Sequence, residues 1–153
     1  MPVTTVDGNL LEAVEPIIGH QVNCQSVMGS GVAKQIKQQF PDVYKSYFQY
    51  CSQHKQHLLG RCQIVERNEG SGTFVANLFG QEYYGRDKRK YTDYDAIRIA
   101  FVQLHDFARE HNYAIALPYK IGCDRGGGDW EIVYGMIHEI FTDVQVTLYR
   151  LAE

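Results

Sequence analysis

Apolar residues recur along this chain at two periods, and the switches between them mark its elements. Residues 3–6 form a short strand-like run, and 16–22 a second. Val32, Ala33, Ile36 and Phe40 then fall at helical spacing, which predicts a helix from about Gly31. Pro41 disfavours helix at the residue before it, so a second helix restarts there with Val43, Tyr44, Tyr47, Phe48 and Cys51 as its apolar residues. Runs 62–65 and 73–79 flank the turn-rich segment 68–72 and predict a hairpin. After a polar loop at 80–91, Thr92 or Asp93 is placed to cap a long amphipathic helix bearing Ala96, Ile97, Ala100, Phe101, Leu104 and Phe107. The continuous apolar run 114–117 suits a buried central strand. A last helix is predicted over 130–141, with Ile132, Val133, Met136, Ile137 and Ile140, before a closing strand at 144–151.

Strands alternating with helices after an opening pair of strands predict an α/β domain with helices on both sheet faces. The 153 residues suit one domain, and no repeat, low-complexity run or linker divides them. With 44% hydrophobic and 22% charged residues, the chain reads as an ordinary soluble protein. A formal net charge of −3 argues against a general nucleic-acid surface, so any phosphate would be held by local donors. The one basic cluster, Arg86, Lys88, Arg89 and Lys90, is interrupted by Asp87 and is expected to be a solvated loop face. Cys24, Cys51, Cys62 and Cys123 form no C-x-x-C pair, and His54 and His57 have no third ligand nearby, so no metal site is expected. With no leader sequence and no membrane-length apolar run, a cytoplasmic protein with reduced thiols and no membrane contact is expected.

Two glycine-rich turns change the picture. Gly29, Ser30 and Gly31 run into the first helix, and Gly126, Gly127 and Gly128 run into the last. A helix N-terminus offers unpaired N–H groups and a partial positive charge, and glycine admits close approach of an anion. Both turns follow the carboxyl ends of strands, where ligands gather in such sheets. Two of them in one small domain point to a ligand with two phosphates, gripped between facing loops.

The residues around these turns resemble the macro domain family. The first loop carries His20, then Asn23, Cys24 and Gln25, then Gly29 and Gly31 to Ala33, with Phe40 and Pro41 after the helix. Gly8, Asn9 and Leu10 precede it in the expected order. Ile121, Gly122 and Cys123 follow later, with Gly126 to Trp130 behind them. The resemblance spans essentially the whole chain and implies a three-layer α/β/α fold around a central mixed sheet that binds ADP-ribose. It is greater to the branch holding the yeast-type ADP-ribose 1″-phosphate phosphatase and the terminal ADP-ribose–protein glycohydrolase. The phosphatase type carries a histidine three residues before the asparagine of the first loop, which is His20 here. What it implies is a metal-independent hydrolase acting on ADP-ribose 1″-phosphate or on ADP-ribosylated protein or nucleic acid. The alternative is a non-catalytic reader of ADP-ribose. No cofactor is expected, and a monomer is.

By this resemblance Asn9 and Leu10 sit at the adenine end, and Asn23 meets the distal ribose hydroxyls. Gly29, Ser30, Gly31 and Val32 line the phosphates and distal ribose, and Ile121, Gly122, Cys123, Asp124, Arg125, Gly126 and Gly127 close from the other side. Asn9 could instead belong to a plain turn. Tyr149 either stacks on adenine or is core, and Trp130 packs the last helix. His20 is a candidate acid or base, or else a hydrogen-bonded core histidine. Asp124 is a second candidate catalytic group; beside phosphates it needs compensation from Arg125, or it points to solvent. Asp129 is either a loop carboxylate or the N-cap of the last helix, and Lys120 either meets a phosphate or sits exposed. The lysine and aspartate of the glycohydrolase branch align near Phe79 and Gly126, which cannot perform their chemistry, so a lysine-adduct mechanism is not expected here.

Overall fold

The fold, obtained as a computed structural model, is described for residues 2–85 and 89–151. Arg86, Asp87 and Lys88 of the basic cluster lie outside the described residues. Six strands form one sheet: β1 (Val3–Asp7), β2 (Ile17–Asn23), β3 (Cys62–Glu66), β4 (Phe74–Gln81), β5 (Ile115–Pro118) and β6 (Val146–Arg150), in the order β1-β6-β5-β2-β4-β3. All pairings are parallel except β3 with β4, the expected hairpin, so the sheet is mixed. The two opening strands are not a pair: β6 and β5 stand between them, and β1 joins β6 from Val3↔Val146 to Asp7↔Arg150. Strand order depends on pairing between distant segments, which local periodicity does not encode.

The helices are α1 (Gly31–Gln39), α2 (Pro41–His54), α3 (Tyr94–His111) and α4 (Trp130–Ile140). Pro41 occupies the first turn of α2, where its missing N–H costs nothing. Asp93 caps α3 by accepting from Ala96 N, and Asn112 closes it in the left-handed conformation. α3 and α4 cover one sheet face with Ile97, Phe101, Leu104, Val133 and Ile137, joined by Phe141 at the C-cap of α4. On the other face lie Ile36 of α1 and Val43, Tyr47 and Cys51 of α2. Phe48 and Ile132, expected among the apolar contacts, are about half exposed at 51% and 44%.

Strand parity decides what each residue of β2 can reach. Ile17 enters the α3/α4 core, whereas Ile18 and Val22 enter the α1/α2 side. His20 therefore shares the α1/α2 face and Gln21 the α3/α4 face. β2 and β5 are neighbours through Ile17↔Ile115 and Ile18↔Ala116. The chain leaves β2 for α1 on one face and leaves β5 for α4 on the other. That divergence is a topological switch point, and it opens a crevice at the carboxyl ends of the two strands.

Candidate functional site

Two adjoining cavities of about 140 and 320 Å³ occupy this crevice. Ser30, Gly31 and Val32 form one wall of the first, and Ile121, Gly122, Asp124, Arg125 and Gly126 the other, with His20 between them. Gly29 and Asn23 line the second, beside Tyr84 and Gly85. The two glycine turns thus face each other as expected. Cys123 and Gly127 belong to the second loop but do not line either cavity. Lys120 does line the first, with a φ of 64° that is strained for a long side chain.

The two turns differ in what they offer. Ser30 makes no side-chain cap to α1, and the first amide returned to the chain is Lys34 N, on Ser30 O at 3.3 Å. The amides of Gly31, Val32 and Ala33 are the open N-terminal donors of a helix, and all three residues line the first cavity. At α4 two of the corresponding donors are taken, Glu131 N by Asp129 Oδ1 at 3.0 Å and Ile132 N by Asp129 O at 3.1 Å. Asp129 is thus the N-cap, one of the two roles its sequence position offered, and it makes this helix end less open than that of α1. Asp129→Ala should lower stability by about 1 kcal/mol in urea unfolding, the usual effect of losing such a cap. The second loop instead presents the amides of Gly122, Asp124, Arg125 and Gly126, which take no acceptor among the described residues.

Glycine also has different reasons in the two turns. A Cβ on Gly31 would meet nothing within 4 Å, and its φ of 59° is what favours glycine there. At Gly126 a Cβ would collide with Thr92 Oγ1 and lie 2.6 Å from Gly122 O, and at Gly127 it would lie 2.8 Å from Arg89 O. The later glycines thus let the loop pack on residues 89–92.

His20 is 1% exposed, and its Nε2 lies 2.6 Å from Asn77 Oδ1. A chain of obligate partners sets the proton. Ser46 O can only accept, so Gln63 turns its Nε2 to it at 3.2 Å and its Oε1 to Asn77 Nδ2 at 3.0 Å. Asn77 then presents Oδ1 to His20, which must donate from Nε2 and carry a bare Nδ1. Nδ1 is buried and has no partner in the protein. Burial pushes the imidazole down to about 4, against a smaller upward pull from Asn77. At neutral pH His20 is therefore an uncharged acceptor, not an acid.

Asn23 is committed within its own loop. Its Oδ1 accepts from Gln25 N at 2.9 Å and Tyr47 Oη at 3.0 Å, and its Nδ2 donates to Val27 O at 2.8 Å. One Nδ2 hydrogen remains for a ligand. Asn9 Oδ1 accepts from Leu11 N at 3.0 Å, capping a turn of 3-10 helix at Leu10–Glu12. Leu10 packs with Tyr149, whose hydroxyl donates to Glu15 Oε1 at 2.7 Å. Asn9, Leu10 and Tyr149 line neither cavity; Leu10 and Tyr149 belong to the apolar cluster that also holds Ile18, Ile36 and Ala116. Asp124 and Arg125 are both exposed on the rim. Trp130 packs on Tyr119 and Tyr134, each at 5.3 Å between ring centroids.

Phe79 is fully buried and stacked between Tyr47 and Tyr50, at 5.8 and 5.7 Å, and Gly126 is buried against Thr92. Neither position offers a lysine or carboxylate to the cleft. Sequence reasoning overlooked Asn77, Gln21 and Gln81. Their signal was available: each is an uncharged polar residue within a largely apolar strand, Asn77 and Gln81 buried and Gln21 partly so.

The chain belongs to the Macro domain family, whose model matches residues 20–137. Among curated relatives, the ADP-ribose 1″-phosphate phosphatase of Saccharomyces cerevisiae is 24% identical over 175 residues, covering 97% of this chain and 98% of that protein. The DNA ADP-ribosyl glycohydrolase of Mycobacterium tuberculosis is 28% identical over 150 residues, covering 96% of this chain but only 42% of its own length. The solved macrodomain of Mycobacterium tuberculosis DarG superposes with a TM-score of 0.83 at 27% identity, covering 98% of each chain. The three-layer architecture is thus that of the macro domains. No helix among the described residues is long and apolar enough to cross a membrane.

Proposed function

We propose that this chain binds ADP-ribose across the crevice and hydrolyses a bond at the distal ribose, with ADP-ribose 1″-phosphate as the first substrate to test. The observation that carries the reading is the pairing of an open helix N-terminus with a facing ring of loop amides over the uncharged His20. Donors on both walls suit a diphosphate in a protein without a broad basic field. The relatives named as phosphatase and glycohydrolase support the same ligand. In this reading Asn9, Leu10 and Tyr149 take the adenine end, as the resemblance implies.

Hydrolysis needs a positioned water and stabilisation of developing charge. His20 Nδ1 can accept a hydrogen bond from that water, or from the hydroxyl that orients it, and the α1 amides can stabilise the charge. Asp124, exposed on the rim beside Arg125, is the carboxylate within the loop and a candidate to deprotonate water. A reader without turnover is the second reading, favoured by the loss of the glycohydrolase residues at Phe79 and Gly126. Calorimetry with ADP-ribose, with phosphate release from ADP-ribose 1″-phosphate and ADP-ribose release from modified protein and nucleobases, separates the two. Binding without any turnover leaves the reader; absence of binding removes both.

A further inference from the structure

The second glycine loop is held from outside the crevice. Thr92 is 1% exposed, precedes the cap of α3 and does not line either cavity. Its Oγ1 donates to Gly122 O at 2.6 Å and accepts from Gln21 Nε2 at 2.9 Å. Gln21 Nε2 gives its other hydrogen to Gln81 Oε1 at 2.7 Å, and Gln81 Nε2 donates to Tyr83 O at 2.7 Å. The two carbonyls at the ends can only accept, so every amide and hydroxyl between them has one orientation. That arrangement leaves Gln21 Oε1 buried without a partner.

The main chain adds to this clasp. Tyr91 N and Thr92 N both donate to Gly126 O, at 2.7 and 2.9 Å, and Gln81 bridges Thr92. The absence of side chains at Gly126 and Gly127 is what allows residues 89–92 so close. One connected set of hydrogen bonds therefore runs from the amide-bearing loop of the first cavity, through Gln21 and Gln81, which line both cavities, to the segment that carries Tyr84 and Gly85 on the second.

We infer that Thr92, acting with Gln21, is a positioning residue that sets the second glycine loop for the ligand and couples it to residues 81–85. The inference deepens the ADP-ribose reading and rests on it for the choice of ligand. Displacing a donor by a fraction of an ångström weakens a hydrogen bond to phosphate, so a residue that touches no ligand controls affinity here. Gly122 O keeps Gly128 N, at 2.9 Å, when the threonine hydroxyl is removed, so the loop loosens without unfolding.

The test is Thr92→Val, which keeps the shape and removes the hydroxyl, beside Thr92→Ser, which keeps the hydroxyl. Titrated with ADP-ribose well below its unfolding midpoint, T92V should bind about tenfold more weakly, the effect of one buried hydrogen bond lost, while T92S regains wild-type affinity. Wild-type affinity in T92V, or equal weakening in T92S, overturns the inference. In ligand-free protein, amide NMR shifts in T92V should move at Gly122 and Gly126 and also at Tyr83 and Tyr84. Shifts confined to residues 91–93 overturn the coupling whether or not ADP-ribose binds. Failure of the wild type to bind ADP-ribose instead removes the functional reading, and leaves the NMR arm to judge the clasp alone.

Discussion

Valine at position 126 is expected to weaken ADP-ribose binding by at least about a hundredfold, the scale of a misplacement of roughly 1 Å in a binding constellation. The cause lies behind the loop. A Cβ there collides with Thr92 Oγ1 and sits 2.6 Å from the backbone oxygen of Gly122, and neither is the far end of a flexible side chain. The loop must therefore move outward, and Gly126 O leaves the amides of Tyr91 and Thr92 that it now accepts. Overpacking of this kind also costs about 1–3 kcal/mol of stability. Gly31→Ala is the contrasting variant: its Cβ meets no protein atom, so it acts through backbone strain and through the space it takes from the ligand. Calorimetry on both variants checks this, with a circular-dichroism melt to show that G126V remains folded. Unchanged affinity in G126V would show that the second loop does not touch the ligand.

Removal of the His20 acceptor should reduce turnover by about 10²–10⁴-fold while ADP-ribose affinity stays near that of the wild type, the range expected of a group positioning a proton transfer. His20→Gln is the better variant, because its amide can still donate toward Asn77 Oδ1, whereas His20→Ala leaves that buried oxygen without its donor. Turnover on ADP-ribose 1″-phosphate at the wild-type rate in either variant removes His20 from the chemistry. The same residue sets a pH dependence. Its folded value, about 4, lies below the unfolded value of 6.5, so the unfolded chain binds more protons between them. Stability from this group is complete above pH 6.5 and is lost as pH falls toward 4, by roughly 3 kcal/mol in all. H20Q should flatten that acid limb in urea titrations at several pH values. An equally steep limb in the variant would assign it to carboxylates elsewhere.

Much of the architecture was legible because it is written locally. The 3.6-residue spacing from Ala96 to Leu104, the cap residues Asp93 and Asp129 and the uninterrupted run ending at Leu117 each state their own structure. The glycine turns announced where the crevice would be, since the strands before them were readable. What stayed hidden depends on partners far apart in sequence. Nothing near Val3 specifies Val146 as its neighbour. Nothing near His20 specifies Asn77, 57 residues away, as the group that fixes its proton. A second reason for glycine at position 126 stayed hidden for the same cause. A glycine beside a helix looks like room for an anion, and only the folded chain shows Thr92 occupying that room. Asn23, placed by resemblance against the ligand, turned out to spend most of its amide on its own loop.

The line of hydrogen bonds from the Ser46 carbonyl through Gln63 and Asn77 to His20 makes the character of the crevice floor a remote property. Gln63 sits on the hairpin strand β3, across β4 from His20, and lines neither cavity of the crevice. An apolar residue there would free the Asn77 amide to rotate and offer its nitrogen to His20 Nε2. The imidazole would then have to surrender that proton and carry it on the other nitrogen, so that the floor met a ligand with an N–H in place of a lone pair. A change at the sheet margin, in a residue no map of the crevice would include, inverts what the crevice can recognise. Substitution at that margin would thus retune the chemistry while every wall residue stays the same.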